Sequence, residues 1–296
     1  MPSKQTEASG PIAKGFDLLS DVEIAQALAQ GQQAALRALN AAIPDIAKAG
    51  ARMAQAIAAG GRLIYVAAGS SGLMALADAA ELGGTFGIPP AQIQIFMAGG
   101  IPVDARMPGD VEDDTGAALR AADGITAQDV VIALSASGST AYPMAVARIA
   151  RARGAGVICI ANNPDAAMFE LADIAVLLET PPEVIAGSTR MGAGTAQKAA
   201  LNMMSTLMGV RLGHVYDGLM VNVVADNEKL RARAVGIVCQ IADVSPERAT
   251  EAVALAGGAV KIAALLAAGA PDITAATTIL AETHGDLRAA LARLQE

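Results

Sequence analysis

Tryptophan is missing from the 296 residues, aromatic residues make up 2%, and cysteine and histidine occur twice each. Cys159 and Cys239 stand far apart in apolar surroundings, which matches neither a zinc knuckle nor the dense framework of a secreted disulfide scaffold, so both read as reduced core residues. His214 and His284 have no partner in a recognisable pattern and read as structural. No nucleophile elbow, H-E-x-x-H pair or Cys-His metal spacing occurs, which speaks against covalent serine and zinc chemistry. Neither G-x-G-x-x-G nor G-x-x-x-x-G-K-[ST] is present, so neither a dinucleotide nor ATP is the natural ligand. No metal site is expected.

Basic residues are also scarce, 21 Lys and Arg against 29 Asp and Glu for a net charge of −8. That balance, without a Lys/Arg cluster and interleaved aromatics, excludes a general nucleic-acid binder. The longest uncharged stretch, Leu82 to Val103, is broken by Gly, Pro, Gln92 and Gln94, so no membrane span is expected. The first twenty residues carry Glu7, Lys14 and Asp17 and no apolar core of a signal peptide, which points to the cytoplasm.

What the chain does have is apolar residues, 53% of the total, enough to exclude disorder and to build a large core. From about Asp21 to Ala59 they recur at helical spacing, at Ile24, Leu28, Leu36, Leu39, Ile43, Ile46 and Met53, with Pro44 marking an interruption or a new start. From Arg62 the pattern changes to short continuous runs, RLIYVAA, QIQIFMA, DVVIALS, GVICIAN and DIAVLLE, separated by Ala-rich helical segments. Runs apolar on both faces are those of a parallel sheet covered on both sides. The expectation is an α/β fold, a doubly wound five-stranded parallel sheet flanked by helices and ending near Glu179. A long helix is predicted from about Met191 to Leu212, stopped by Gly213. Helices alone are predicted from Leu219, one through Asn227 to Ile241, then pieces starting near Ser245-Pro246, Ala259 and Asp272. The predicted organisation is a helical segment over 1–60, a sheet domain over 61–218 and a small helical bundle over 219–296.

Ligands of open parallel sheets bind beyond the carboxyl ends of the strands. Three such places are rich in Gly, Ser and Thr: GSSGL after the first strand, SASGST after the third, and GSTRMGAGTAQK after the fifth. Small residues let N–H groups and hydroxyls approach an anion, and a helix N-terminus adds a favourable dipole. Gly69, Ser70, Ser71, Ser135, Ser137, Gly138, Ser139, Thr140, Ser188, Thr189 and Lys198 are therefore candidate phosphate ligands, although any one loop could be only a capped helix start. The natural ligand is then a phosphorylated small molecule. Two carboxylates stand near the same strand ends. Glu81 interrupts a nearly uncharged segment at the end of the first crossover helix, and Glu112 follows the second strand in VEDD. Such a pair can divide acid and base roles where environment separates their pKa values. The other readings are a helix-terminal side chain for Glu81 and a solvated first turn for Glu112.

Five segments, GRLIYVAAGSSG, DAAELGGTFGIPP, SASGST, GSTRMGAGTAQKAALNMMST and LMVNVVADNEKLRARA, together resemble the sugar isomerase (SIS) domain family. The resemblance is greater to its N-acetylmuramic acid 6-phosphate etherase branch and covers most of the chain. It implies an SIS-type sheet domain, a homodimer and a cofactor-free lyase of cell-wall recycling. The implied reaction cleaves the D-lactyl ether of N-acetylmuramate 6-phosphate to N-acetylglucosamine 6-phosphate and D-lactate, with Glu81 as proton donor and Glu112 as base. Leu73, Ser139 and Gly192 stand where the family usually has basic residues, Leu82-Gly83-Gly84 where it has Cys-Pro-Pro, and the customary Arg-rich N-terminal motif is absent. The chain thus reads as a divergent member. The alternatives are an isomerase or lyase acting on another sugar phosphate, and a non-catalytic sugar-phosphate sensor.

Overall fold

In the computed structural model, which describes residues 5–11 and 13–295, the five apolar runs form the five strands of one parallel sheet. Residues 1–4 and 12 of the predicted N-terminal segment, and residue 296, lie outside the described residues. The strands are β1 (Leu63–Ala67), β2 (Ile93–Met97), β3 (Val130–Ser135), β4 (Gly156–Ala161) and β5 (Ile174–Leu177), in the order β2-β1-β3-β4-β5. Every residue of β1, β3 and β4 is buried, whereas the edge strands β2 and β5 are mostly half-buried. The order reverses between β1 and β3, and at such a switch point the two loops leave in opposite directions and open a crevice.

Helices α1 (Asp21–Leu36) and α2 (Leu39–Ala58) precede the sheet. Ser20 and Glu23 close a reciprocal capping box at the start of α1. The interruption expected at Pro44 lies instead at Arg37 and Ala38, where N–H groups bond three residues back, and Pro44 sits inside α2. Pro44 therefore falls in the second turn of α2, where it removes one bond, to the carbonyl of Asn40. Crossovers are made by α3 (Gly69–Ala79), the short α4 (Leu82–Phe86), α5 (Thr115–Ala121) and α6 (Ala141–Ala152). The long helix α7 (Gly192–Arg211) follows β5, and Gly213 beyond its end takes φ +69°.

The chain divides into two compact units, one of the described residues through Ala80 with Ala91–Leu207, the other of Glu81–Pro90 with the segment from Met208 onward. In the first unit Arg62 and Asp129 tie the starts of β1 and β3. Asp129 is 2% exposed and accepts from the Arg62 guanidinium at 2.7 and 3.0 Å, from the Arg62 N–H, and from the Thr126 N–H and hydroxyl. Desolvation by itself would raise the carboxyl pKa, but these donors outweigh it and bring it to about 2. A carboxyl held below its unfolded value stabilises the fold above pH ~4, and that contribution disappears as pH falls through 2. Asp129→Asn should therefore cost roughly 2 kcal/mol at pH 7. It should also flatten the acid limb between about pH 4 and 2 in urea titrations, relative to the wild type.

The second unit contains a feature that the sequence reading misses. Residues from Leu219 are not helical alone, because β6 (Val215–Tyr216) and β7 (Leu219–Met220) form a two-stranded antiparallel hairpin. Asp217 and Gly218 turn it with φ of 45° and 78°, the left-handed pair that an Asp-Gly hairpin loop requires. The remainder is helical as predicted: α8 (Glu228–Ala242), α9 (Pro246–Leu255), α10 (Val260–Ala267), α11 (Ile273–Glu282) and a short α12 (Leu287–Arg293). Asn227, Ser245 and Asp272 each cap the helix that follows. Ile237, Val238, Leu265 and Leu287 are among the residues that fill this unit's core.

Candidate active site

Within the first unit, a polar cavity of about 210 Å³ lies where β1 and β3 end. It is lined by Ala68 to Ser71, Ser135 to Ser137, Thr140, Thr189, Glu112 and Glu7. The structure thus brings together Gly69, Ser70, Ser71, Ser135, Ser137, Thr140, Thr189 and Glu112 from the sequence-predicted set.

Each wall follows from local chain geometry. The N-cap of α3 is Ala68, which has no side chain able to cap, and Gly72 is the residue whose N–H reaches back to the Ala68 carbonyl. The N–H groups of Gly69, Ser70 and Ser71 precede that first helical bond, as at any helix start, and mark an anion-binding position. Gly69 has φ +54°, and a Cβ there would stand 2.8 Å from Glu112 Oε1, so the glycine makes room for the carboxylate. The main chain of Glu112 is fixed as well, its carbonyl accepting the N–H of Tyr142 in the first turn of α6. Glu112 is accordingly held between the starts of the two crossover helices. Its neighbour Asp114 does what an acidic first turn is expected to do, accepting the Ala117 N–H at the start of α5.

The loop after β3 is a chain of hydroxyls. Ser135, 3% exposed, stands 2.8 Å from Thr140 Oγ1 and 3.2 Å from Ser137 Oγ, and Ser137 is 3.2 Å from Ser139 Oγ. Ser135 Oγ also accepts the N–H of Gly138. Thr140 precedes α6 without capping it, its hydroxyl being engaged by Ser135. Hydroxyl protons rotate, so such a chain can turn donors toward an anion without a cation nearby. Gly138 and Ser139 belong to this loop but do not line the cavity.

The third loop is arranged differently from the expectation. Thr189 reaches the cavity and Ser188 adjoins it in sequence, but the start of α7 is already occupied. Glu183, buried, accepts the N–H of Gly192 and of Ala193, each at 2.9 Å. An internal carboxylate thus holds the position that a substrate phosphate would take at that helix. Lys198 donates to Asn202 at 2.8 Å, and Asn202 in turn donates to Asp78 on α3. Asp78 is 1% exposed and also accepts from Tyr65 and Ser205. Burial raises its pKa against the pull of these donors and of Lys198, and burial together with Asp78 raises that of Tyr65. The network fastens α3 and α7 to β1, and Lys198 is part of it. Glu81 belongs to the second unit, at the N-cap of α4, where its carbonyl accepts the Thr85 N–H.

One lining residue was not foreseen, Glu7, because no spacing links residue 7 to loops that begin at residue 69. Of the other residues singled out, Cys159 is fully buried and its thiol is pushed by burial up to about 12, as expected of an inert core cysteine. Burial, with Lys261 nearby, lowers His214 to about 4, so it is neutral at pH 7. Met204 and Met208 are fully buried.

An SIS domain model matches residues 28–162. An N-acetylmuramic acid 6-phosphate etherase of Symbiobacterium thermophilum is 43% identical over 256 residues, 85% of each chain, and one of Streptomyces avermitilis is 41% identical over 290 residues, 97% of this chain and 93% of its own. The chain belongs to the N-acetylmuramic acid 6-phosphate etherase family. The SIS fold of this family member is echoed by a solved Bacteroides fragilis structure, described as a candidate phosphosugar isomerase involved in capsule formation. That structure has a TM-score of 0.51 at 20% identity, covering 67% of this chain and 95% of its own. Among the described residues of this etherase-family chain, no helix is long and apolar enough to cross a membrane.

Proposed function

We propose that the chain cleaves the D-lactyl ether of N-acetylmuramic acid 6-phosphate by elimination followed by water addition. The observation that carries this reading is the match over nearly the whole chain to relatives bearing that name, on a scaffold whose strand-end cavity presents Glu112 beside hydroxyls and free helix amides.

In the opened sugar the C1 aldehyde acidifies the proton at C2. Glu112 takes that proton, the C3–oxygen bond breaks, and Glu81 protonates the departing lactate oxygen, since an alkoxide leaves poorly. Water then adds at C3 of the unsaturated aldehyde, giving its proton to the Glu81 carboxylate, while Glu112 returns its proton to C2. The products are N-acetylglucosamine 6-phosphate and D-lactate. The 6-phosphate rests on Ser70, Ser71, Ser135, Ser137 and Thr140, with Gly69, Gly138 and Ser139 shaping the two loops and Ser188 and Thr189 closing a third side. The reading needs no metal and no organic cofactor. It implies a cytoplasmic homodimer, which size-exclusion chromatography with light scattering checks at micromolar concentration.

The test is a coupled D-lactate assay of the purified protein on N-acetylmuramic acid 6-phosphate. Lactate formation supports the reading, and its absence from folded protein overturns it. One observation favours a second reading, an isomerase or lyase on a different sugar phosphate: among the described residues lining the cavity there is no Lys or Arg to meet the carboxylate of the lactyl group. Exchange of the C2 proton of an amino-sugar phosphate without lactate release would select it.

A further inference from the structure

We propose that Glu7 is a substrate-contacting residue that accepts a sugar hydroxyl and makes the cavity select a sugar phosphate over a plain anion. The inference rests on the sugar-phosphate reading of the same cavity and goes beyond the carboxylate pair assigned to the reaction.

The residue before it is built into the fold. Thr6 is 3% exposed, its N–H donates to Asn163 Oδ1 at 3.4 Å, and its hydroxyl accepts from Asn163 Nδ2 at 3.1 Å. Asn163, on the loop after β4, also donates at 2.9 Å to the carbonyl of Ala136, itself a lining residue. A segment distant in sequence is therefore pinned to the cavity wall, and the next side chain along it, Glu7, lines the cavity. The opposing surface leaves room for it. Gly187 has φ +74°, and a Cβ there would stand 3.2 Å from Glu7 Oε2. A side chain at position 187 would be strained in its own backbone and would crowd the carboxylate.

The chemistry of the lining then assigns the role. Apart from Glu7 and Glu112, the polar groups are hydroxyls and helix-start amides, which suit the phosphate end of a ligand. The other end of an amino-sugar phosphate offers hydroxyl and amide N–H donors, which a carboxylate can accept. Glu112 is committed to the C2 proton, so Glu7 is the charged acceptor left for a hydroxyl, and a carboxylate–hydroxyl bond is short and charge-assisted. Inorganic phosphate offers the same anion without the polyol, so it gains nothing from Glu7 and is repelled by it.

The experiment compares Kd values for N-acetylglucosamine 6-phosphate and for inorganic phosphate by calorimetry, in the full chain and in the Glu7→Gln and Glu7→Asp variants. The wild type should prefer the sugar phosphate. Glu7→Gln should weaken sugar-phosphate binding about tenfold while leaving phosphate unchanged or a few-fold tighter, and Glu7→Asp should fall between. Equal weakening of both ligands would reduce Glu7 to a strap and overturn the proposal, as would unchanged sugar-phosphate affinity or a wild type without preference. Thr6→Val, which removes the hydroxyl half of the anchor and keeps the carboxylate, should reproduce part of the Glu7→Gln loss and add little to it in the double variant. Because these readouts are binding constants, they stay separate from the lactate assay. Failure to release lactate overturns the etherase reading alone.

Discussion

Glu112→Gln should lower kcat/KM for D-lactate release about 10³-fold, the middle of the range for removing a positioned general base. Its stability should stay within about 0.5 kcal/mol of the wild type. The two expectations separate because different atoms do the two jobs. The main-chain carbonyl of Glu112 ties the loop to Tyr142, and the substitution leaves it in place. The carboxylate makes no hydrogen bond among the described residues and lies against Gly69. Gln has the same shape and cannot take a proton at C2. Glu81→Gln should lose activity to a comparable extent, because there the missing group is the acid. Lactate release within tenfold of wild type in either variant would remove that residue from the chemistry.

Gly138→Ala should destabilise the protein by about 3 kcal/mol, the sum of a left-handed backbone and an overpacked contact. Gly138 has φ +69°, and a Cβ there would fall 2.2 Å from the Cβ and 2.8 Å from the Cα of Ala166. A backbone atom cannot swing aside as a long side chain does. The Gly138 carbonyl also accepts the Met168 N–H, and its N–H donates to Ser135, so displacement of this residue pulls on both the next loop and the hydroxyl chain. A fall in Tm of roughly 6–12 °C follows for a chain of this size, with weaker sugar-phosphate binding at temperatures where the variant is still folded. Gly236→Ala is the control of opposite sign. It lies inside α8, nothing stands within 4 Å of the added Cβ, and removal of a helix-interior glycine should raise stability by about 0.5–1 kcal/mol. A Gly138→Ala variant as stable as the wild type would show that the loop relaxes without cost.

The sheet was legible because its signal is local and repeated. Five uninterrupted apolar runs are needed only where both faces of a strand are covered, and the buried β1, β3 and β4 bear that composition. Asn227, Ser245 and Asp272 were legible as caps for the same reason, since a cap and the N–H it serves lie within three residues. The Asp217-Gly218 turn carries an equally local signal, but its two-residue strands are too short to show a period of two beside the helical pattern that follows. Pro44 misled because a helix can carry a proline near its start at the loss of one backbone bond, and the break at Arg37 and Ala38 has no proline to mark it. In the site, Glu112 stood out by its place after a strand. Glu183 and Glu7 did not, because one reaches forward over a loop to the start of α7 and the other reaches the cavity through the pairing of Thr6 with Asn163. Contacts closed by tertiary structure leave no periodicity to read.

The filling of the α7 start by Glu183, together with a lining that holds two carboxylates and, among its described residues, no Lys or Arg, also bears on how a ligand arrives. Hydroxyls and helix amides act over one or two bond lengths, whereas the net charge of −8 acts over a Debye length, ~10 Å at 0.1 M salt. A phosphorylated sugar therefore approaches against the long-range field and is attracted only on contact. Enzymes that steer an anionic substrate lose encounter rate as salt is added. For this chain the opposite sign is expected: stopped-flow measurement of sugar-phosphate binding should show capture slowest in dilute buffer and faster as counter-ions screen the approach.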